Sequence, residues 1–293
     1  MTEVLEMTLA ERMLYCTVKI NTVRQGSAVG SGTGFFWQSR AVNDRSMFLL
    51  VTNKHVLEGA DSLVVIVHMA DASTSDKPSG QFANCRIELS TVDVFPHPNP
   101  AIDLVGLNFT AIINEAVGAG TPLFIQSIAA AAIPSEEDWS LFDAFEEVLM
   151  IGCPRGIYDQ ANNLPIVRRG TTATPLSKRY EGRDEFLVDM ACFPGSSGSP
   201  VFMYNANGFV DRKTNTYMMG KGRFFFLGIL YAGPIINNEG RIVLGSQPRI
   251  EVAAMMHLGQ VMRSTMMTDI DDLVEARLDQ IAASEATELP SAE

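Results

Sequence analysis

A serine flanked by small residues stands in the run Pro194-Gly195-Ser196-Ser197-Gly198-Ser199-Pro200, between two segments of strand-like composition. Glycine at 195 accepts backbone conformations that other residues resist. The N–H groups of Gly195 and Ser197 could therefore point at one spot and form an oxyanion hole beside the Ser197 hydroxyl. Taken alone, the same composition serves a plain Gly/Ser hairpin loop. A serine hydroxyl is a weak nucleophile near neutral pH and needs a histidine base with a carboxylate to orient it. Of the four histidines, His55 lies in Val51-Thr52-Asn53-Lys54-His55-Val56-Leu57, at the end of an apolar strand where a short turn would expose its ring. His68 ends another strand-like run, His97 sits in a Pro-rich loop and His257 falls in a region of helical spacing, so these three read as surface or packing histidines. Asp103 opens Asp103-Leu104-Val105-Gly106-Leu107, an acid at the head of an apolar strand. Alone, it is equally an aspartate ending a loop in solvent. Together the three supply a nucleophile, a base and an orienting acid.

The elements that must position them are strands. In residues 14–20, Leu14, Cys16, Val18 and Ile20 alternate with Tyr15, Thr17 and Lys19, the period of a half-buried strand. A Gly/Ser turn at 26–34 follows, then strand-like runs at 35–37, 47–52, 63–67, 82–89 and 102–107, a rhythm that suggests a closed antiparallel barrel. Residues 114–138 carry Gly118, Gly120, Pro122 and Pro134 without sustained alternation and read as a connector. A second strand series covers 147–152, 166–169, 186–190, 201–204 and 224–230. Two successive barrels fit this order better than any α/β alternation. Past Pro248 the spacing turns helical, clearest in Ile270, Leu273, Val274, Leu278 and Ile281, and predicts a helix laid over the outside of the second barrel. The expected divisions are a lead-in at 1–13, a first barrel at 14–115, a connector at 116–145, a second barrel at 146–250, a helical segment at 251–283 and a disordered acidic tail at 284–293.

Composition narrows the setting. Over 293 residues, 22 Lys and Arg stand against 34 Asp and Glu, a formal charge of −12 that disfavours nucleic acid and anionic membrane as partners. The first residues lack the basic-then-apolar order of a secretory signal, and no apolar run reaches spanning length, so a cytoplasmic protein is expected. Cys16, Cys85, Cys153 and Cys192 are far apart with no CxxC spacing, which predicts reduced thiols and no metal site; no cofactor is expected.

His55, Asp103 and Ser197 in that order, with their separations, resemble trypsin- and chymotrypsin-like serine peptidases, including the bacterial HtrA-type branch. The resemblance runs from about residue 14 to residue 233. Thr52-Asn53-Lys54-His55-Val56 resembles the histidine turn, Asp103-Leu104-Val105-Gly106-Leu107 the aspartate strand, and Gly195-Ser196-Ser197-Gly198-Ser199-Pro200 the nucleophile loop. Gly32-Thr33-Gly34-Phe35 resembles the glycine turn before the histidine strand, and Ile151-Gly152-Cys153-Pro154-Arg155-Gly156 the start of the second barrel. The resemblance implies an all-β fold of two six-stranded antiparallel β-barrels of the chymotrypsin type with a C-terminal helical segment. It also implies an endopeptidase acting through an acyl-enzyme, with His55 as base, Asp103 orienting it and Gly195 with Ser197 supplying the oxyanion N–H groups.

By the same resemblance, Tyr231, Ala232 and Gly233 form the edge that pairs with an extended polypeptide substrate. Ala191 takes the floor of the pocket where a trypsin has aspartate, which implies cleavage after a small or apolar residue. The chain departs from many secreted relatives at Ser196, where they carry the aspartate used in zymogen activation. It has no Arg-Ile-Val-Gly-like start either, so another control, such as a regulatory protein partner, is expected to restrain it. The insertion at 205–223 could overhang the pocket. A catalytically silent peptide-binding pseudoprotease is the competing reading, and an esterase using the same acyl chemistry is a third.

Overall fold

The computed structural model describes residues 6–72, 74, 76–233 and 257–288. Parts of the expected divisions lie outside the described residues: 1–5 of the lead-in, 234–250 of the second barrel, 251–256 of the helical segment and 289–293 of the tail.

A short helix, α1 (Leu9–Tyr15), begins in a capping box in which Thr8 and Glu11 satisfy each other's backbone N–H groups. Nine strands follow: β1 (Thr17–Arg24), β2 (Ser27–Gln38), β3 (Phe48–Thr52), β4 (Ser62–Ala70), β5 (Pro78–Glu88), β6 (Val94–Pro96), β7 (Val105–Asn108), and, after helix α2 (Thr110–Gly118), β8 (Leu123–Phe124) and β9 (Ile128–Ala129). They form one sheet in the order β5-β4-β1-β2-β3-β7-β6, with β8 on β4 and β9 on β2. Among the described residues no ladder closes this sheet, which corrects the expected closed six-stranded first barrel. β5 and β6 stand at the two ends of the order, joined through the turn at 89–93, where the Thr91 and Val92 N–H groups both donate to the Glu88 carbonyl. A three-residue strand ending at Pro96, in a chain with Pro98 and Pro100 close behind, offers too few donors for a closing ladder. The connector is correspondingly more structured than expected, because β8 and β9 belong to this sheet and α3 (Glu136–Leu141) has its own capping box at Ser135.

The second half is a closed six-stranded barrel in the order β10-β11-β12-β17-β16-β13, built from β10 (Glu147–Gly152), β11 (Ile166–Thr172), β12 (Glu185–Asp189), β13 (Pro200–Asn205), β16 (Arg223–Ala232) and β17 (Leu258–Arg263). The hairpin of β14 (Gly208–Asp211) and β15 (Thr216–Met219) projects between β13 and β16. It is fastened beside α3, with Lys213 paired to Glu137 and the Arg212 guanidinium donating to the Phe142 carbonyl. β17 falls in the segment expected to be helical, so the barrel extends past the boundary placed at 250. His257 immediately precedes this strand at φ 58° and is not in a helix.

Three cores explain the pattern. Val18, Ile20, Phe36, Leu50 and Leu107 fill the inside of the first sheet; Val148, Met150, Val188, Val201 and Val261 fill the barrel. Between the halves, Phe35, Trp37 and Val51 from the first sheet meet Phe202, Phe226 and Met262 from the outer face of the second barrel. Helix α4 (Met267–Glu288) lays Met267, Ile270, Val274 and Leu278 into that seam, at the spacing of one helix face. Several of its polar contacts run to the first half: Trp37 Nε1 donates to Asp271 Oδ1 at 2.8 Å, Arg40 pairs with Asp272, Arg45 with Glu285, and Arg277 with Asp93. The helix is thus not laid over the outside of the second barrel alone; it clamps the seam, because its apolar stripe packs into a core cluster to which both halves contribute. It also runs to Glu288, which corrects a disordered tail beginning at 284.

Candidate active site

β3 buries Leu49, Leu50 and Val51 completely and ends at Thr52, whose hydroxyl donates to the Thr33 carbonyl at 2.7 Å. The chain then makes a single 3-10 turn at Lys54–Leu57, which swings the His55 ring out of the sheet until about two fifths of it is exposed. The residues just before it hold the acid loop in place. The buried Asn53 amide donates to the Asp103 carbonyl at 2.6 Å, and Lys54 Nζ donates to the His97 carbonyl at 3.0 Å. Asp103 lies two residues ahead of β7 in irregular chain, so the strand expected from 102 starts only at Val105.

The Asp103 carboxylate meets His55 twice. Oδ2 lies 2.5 Å from the ring Nδ1 and Oδ1 accepts the His55 backbone N–H at 3.1 Å. A carboxylate only accepts, so Nδ1 carries the ring hydrogen and Nε2 presents its lone pair. The hydrogen bond to Asp103 holds the His55 imidazolium above its ordinary range; burial opposes this, while the Asp103 and Glu58 charges add to it. For Asp103, burial pushes the carboxyl up, but the hydrogen bonds from the His55 ring and from the His55 and Lys54 backbone outweigh it, and the net direction is down.

The nucleophile loop follows β12 and precedes β13. Gly195 and Gly198 both sit at φ +87°, and a Cβ on Gly198 would lie 2.0 Å from the Thr33 carbonyl oxygen, so that position admits only glycine. All four carbonyls from 194 to 197 are taken: Pro194 by the Arg155 N–H at 2.6 Å, Gly195 by the Thr33 hydroxyl at 2.9 Å, Ser196 by the Ser199 N–H at 3.0 Å and Ser197 by the Thr33 N–H at 2.9 Å. The N–H groups of Ser196 and Gly198 go to the Phe193 and Leu230 carbonyls. Among the described residues, only the Gly195 and Ser197 N–H groups in this stretch lack a partner. In a planar trans peptide the N–H points opposite the C=O, so tying the Pro194 carbonyl to Arg155 turns the Gly195 N–H away from Arg155.

The Ser197 hydroxyl donates to the Tyr231 carbonyl at 3.5 Å rather than to His55. His55, Gly195 and Ser197 nevertheless line one open cleft of about 380 Å³, with Arg24, Val29 and Glu58 on its first-sheet side. On the other side, β16 pairs with β13 only as far as Ile229 opposite Pro200, and the Leu230 N–H and C=O are taken by Ser199 and Gly198. Tyr231 and Ala232 lie past that ladder as an edge beside Ser197, while β17 pairs on the far side at Gln260. Burial, together with the Glu185 carboxylate, pushes the Tyr231 hydroxyl up. Gly233 follows the end of β16, and a Cβ there would lie 3.1 Å from the Leu258 carbonyl oxygen. Ala191 is half-buried in the segment after β12, whose Met190 N–H donates to the His257 carbonyl.

Two of the remaining histidines are committed elsewhere. His68 Nε2 contacts the Asn163 carbonyl at 3.1 Å inside β4, and buried His97 lies 2.9 Å from Asp269 of α4. Sequence reasoning passed over Thr33, Asn53, Lys54 and Arg155. Asn53 and Lys54 stand inside the quoted histidine motif, but their partners at 97 and 103 become visible only once the loops meet.

A serine in a glycine turn and a histidine paired with an aspartate thus stand where an open sheet and a closed barrel meet. Residues 32–210 match the family described as the trypsin-like peptidase domain, and the chain belongs to that family. It is a hydrolase, a serine endopeptidase of the trypsin-like kind. No curated protein matches it in sequence. Among solved structures it is similar to the serine endoprotease from Yersinia pestis, at 14% identity over 94% of this chain and 68% of that one, with a TM-score of 0.48. It is also similar to the HtrA-type protease AlgW with tripeptide, at 16% identity over 91% and 62%, TM-score 0.47. A third is the inactive form of the Rv3671c protease, at 13% identity over 92% and 98%, TM-score 0.42.

Proposed function

We propose that the chain cleaves polypeptides through a Ser197-His55-Asp103 triad and an acyl-enzyme. His55 Nε2 takes the Ser197 proton as Oγ attacks the scissile carbonyl carbon. The developing oxyanion is received by the Gly195 and Ser197 N–H groups, and the imidazolium returns the proton to the leaving amine. Water, deprotonated by His55, then releases the acyl group and restores the serine. The observation that carries this reading is the pair of N–H groups without a partner among the described residues, in a stretch where the carbonyls of 194–197 are all anchored. The 3.5 Å contact of the Ser197 hydroxyl with Tyr231 is at the far limit of a hydrogen bond, so turning it toward His55 costs little.

The substrate's acyl side pairs as an extended strand with Tyr231, Ala232 and Gly233, and its small or apolar side chain is received at Ala191. The leaving segment runs through the cleft beside Arg24 and Val29. A regulatory protein partner restrains the enzyme in the cytoplasm, since Ser196 offers no zymogen carboxylate.

The second reading, a catalytically silent peptide-binding module, draws on the same Tyr231 contact, which leaves the serine unengaged by its base. Fluorophosphonate labelling separates the two. The peptidase reading expects an adduct on Ser197 that disappears in Ser197→Ala, and purified protein that never forms one belongs to the binding module. Mapping of new protein termini in cells expressing wild type or Ser197→Ala then gives the residue before the cut.

A further inference from the structure

Thr33 is fully buried in β2, on the first sheet, yet its N–H and hydroxyl point across the seam into the second half. Its N–H donates to the Ser197 carbonyl at 2.9 Å. Its hydroxyl donates to the Gly195 carbonyl at 2.9 Å and accepts the Cys153 N–H at 2.9 Å. Its own carbonyl accepts the Thr52 hydroxyl, three residues before His55. One residue therefore holds two of the four carbonyls of the nucleophile loop and is tied to the strand that delivers the base.

We infer that the Thr33 hydroxyl is a positioning residue for the oxyanion hole. This rests on the reading of Gly195 and Ser197 as the oxyanion donors. Peptide 195–196 is gripped at both ends, at its carbonyl by Thr33 and at the Ser196 N–H by Phe193. That peptide lies between the two peptides whose N–H groups are free, 194–195 and 196–197, so holding its plane restricts the angle those N–H groups can make with each other. Donor alignment on an oxyanion is worth most where the donors need no rearrangement as charge develops. The hydroxyl gives its one hydrogen to Gly195 and accepts from the N–H of Cys153, the residue two before Arg155, which ties the Pro194 carbonyl. The first half of the molecule, which carries His55 and Asp103, thereby also sets the shape of the oxyanion loop in the second. A main-chain brace alone would need no hydroxyl at 33; the Gly195 contact does.

The test is burst kinetics on p-nitrophenyl acetate with Thr33→Val, which keeps the shape and loses the hydroxyl, and Thr33→Ser, which keeps the hydroxyl. The burst amplitude counts competent sites, so the rate can be stated per site. Thr33→Val is expected to lose about tenfold to a hundredfold in kcat per site with KM unchanged, and Thr33→Ser to stay within about threefold of wild type. A purely structural role would lower the burst amplitude and the melting temperature while leaving the per-site rate unchanged, and that result overturns the inference. If Thr33→Val yields no folded protein, Thr33→Cys, a weak donor of similar volume, decides in the same way: a per-site rate equal to wild type overturns it. A wild-type protein with no burst and no Ser197 adduct overturns the peptidase reading itself, and the inference with it. A wild-type burst with an unaltered variant removes only the role of Thr33.

Discussion

The Asp103 carboxylate holds His55 at two points, the ring Nδ1 at 2.5 Å and the backbone N–H at 3.1 Å, so it fixes both the tautomer of the base and the turn that carries it. Asp103→Asn keeps the shape but offers an amide N–H to the ring, which favours the tautomer with the hydrogen on Nε2. A loss of about 10⁴-fold in kcat is expected, with far-UV circular dichroism unchanged. Active-ester turnover measures the rate, and nitrogen chemical shifts of the imidazole report the tautomer.

The same pair sets a pH window. Protonated His55 cannot act as a base, so activity rises with pH through its folded pKa, which the Asp103 hydrogen bond holds above the ordinary 6.5. The acid limb of a kcat/KM profile should therefore have its midpoint above 6.5 and move down in Asp103→Asn. For stability the signs differ between the partners. The raised His55 contributes below its unfolded value and loses that contribution as pH rises through its folded one; the depressed Asp103 contributes above its ordinary 3.8 and loses it as pH falls. The pair therefore supports the fold best between those limits, and urea titrations across pH compared with His55→Ala would reveal it.

Gly195→Ala probes the oxyanion loop without touching the base. A Cβ there would meet the Arg155 nitrogen at 2.9 Å and the Cys153 oxygen at 3.1 Å, on a backbone already at φ +87°. The loop must rotate and misdirect its N–H, so kcat should fall by about 10²- to 10³-fold while the His55 pKa stays where it is. An unchanged kcat would remove Gly195 from the oxyanion hole.

Trp37→Phe tests the seam. The indole N–H is the hydrogen-bond donor to Asp271, which is only 2% exposed and whose carboxyl burial already pushes up. Losing that donor should destabilise the fold by about 1–3 kcal/mol, read as a lower urea midpoint. Catalysis per active site should survive, because Trp37 does not line the cleft.

The four cysteines are free and buried, and burial pushes the Cys153 thiol up to about 12 and Cys85 and Cys192 to about 11. They should stay silent to a disulfide reagent at neutral pH in native protein and react together once it unfolds. Rapid modification of any one in the folded state would contradict this packing.

Particular strands show where sequence reading succeeds. β1 and β3 were legible because one alternation or one apolar run marks them. β17 was not, because Val261 faces the barrel core and Met262 the seam. With both faces buried the alternation vanishes, and Leu258, Val261 and Met262 fall at helical spacing. The first sheet's failure to close was equally out of view, since closure depends on whether β5 and β6 share a ladder and not on how many strands there are.

The sequence by itself determined the chemistry-bearing residue types, their order and the glycines without which the loop at 195–198 could not be built, since these are local properties of backbone and side chain. Only the tertiary structure decided that Thr33 reaches the Gly195 and Ser197 carbonyls, that Asn53 and Lys54 hold the Asp103 loop, and that α4 closes the seam. Each joins segments far apart in the chain, where a single residue's type says nothing about its partner until packing brings the two within hydrogen-bond reach.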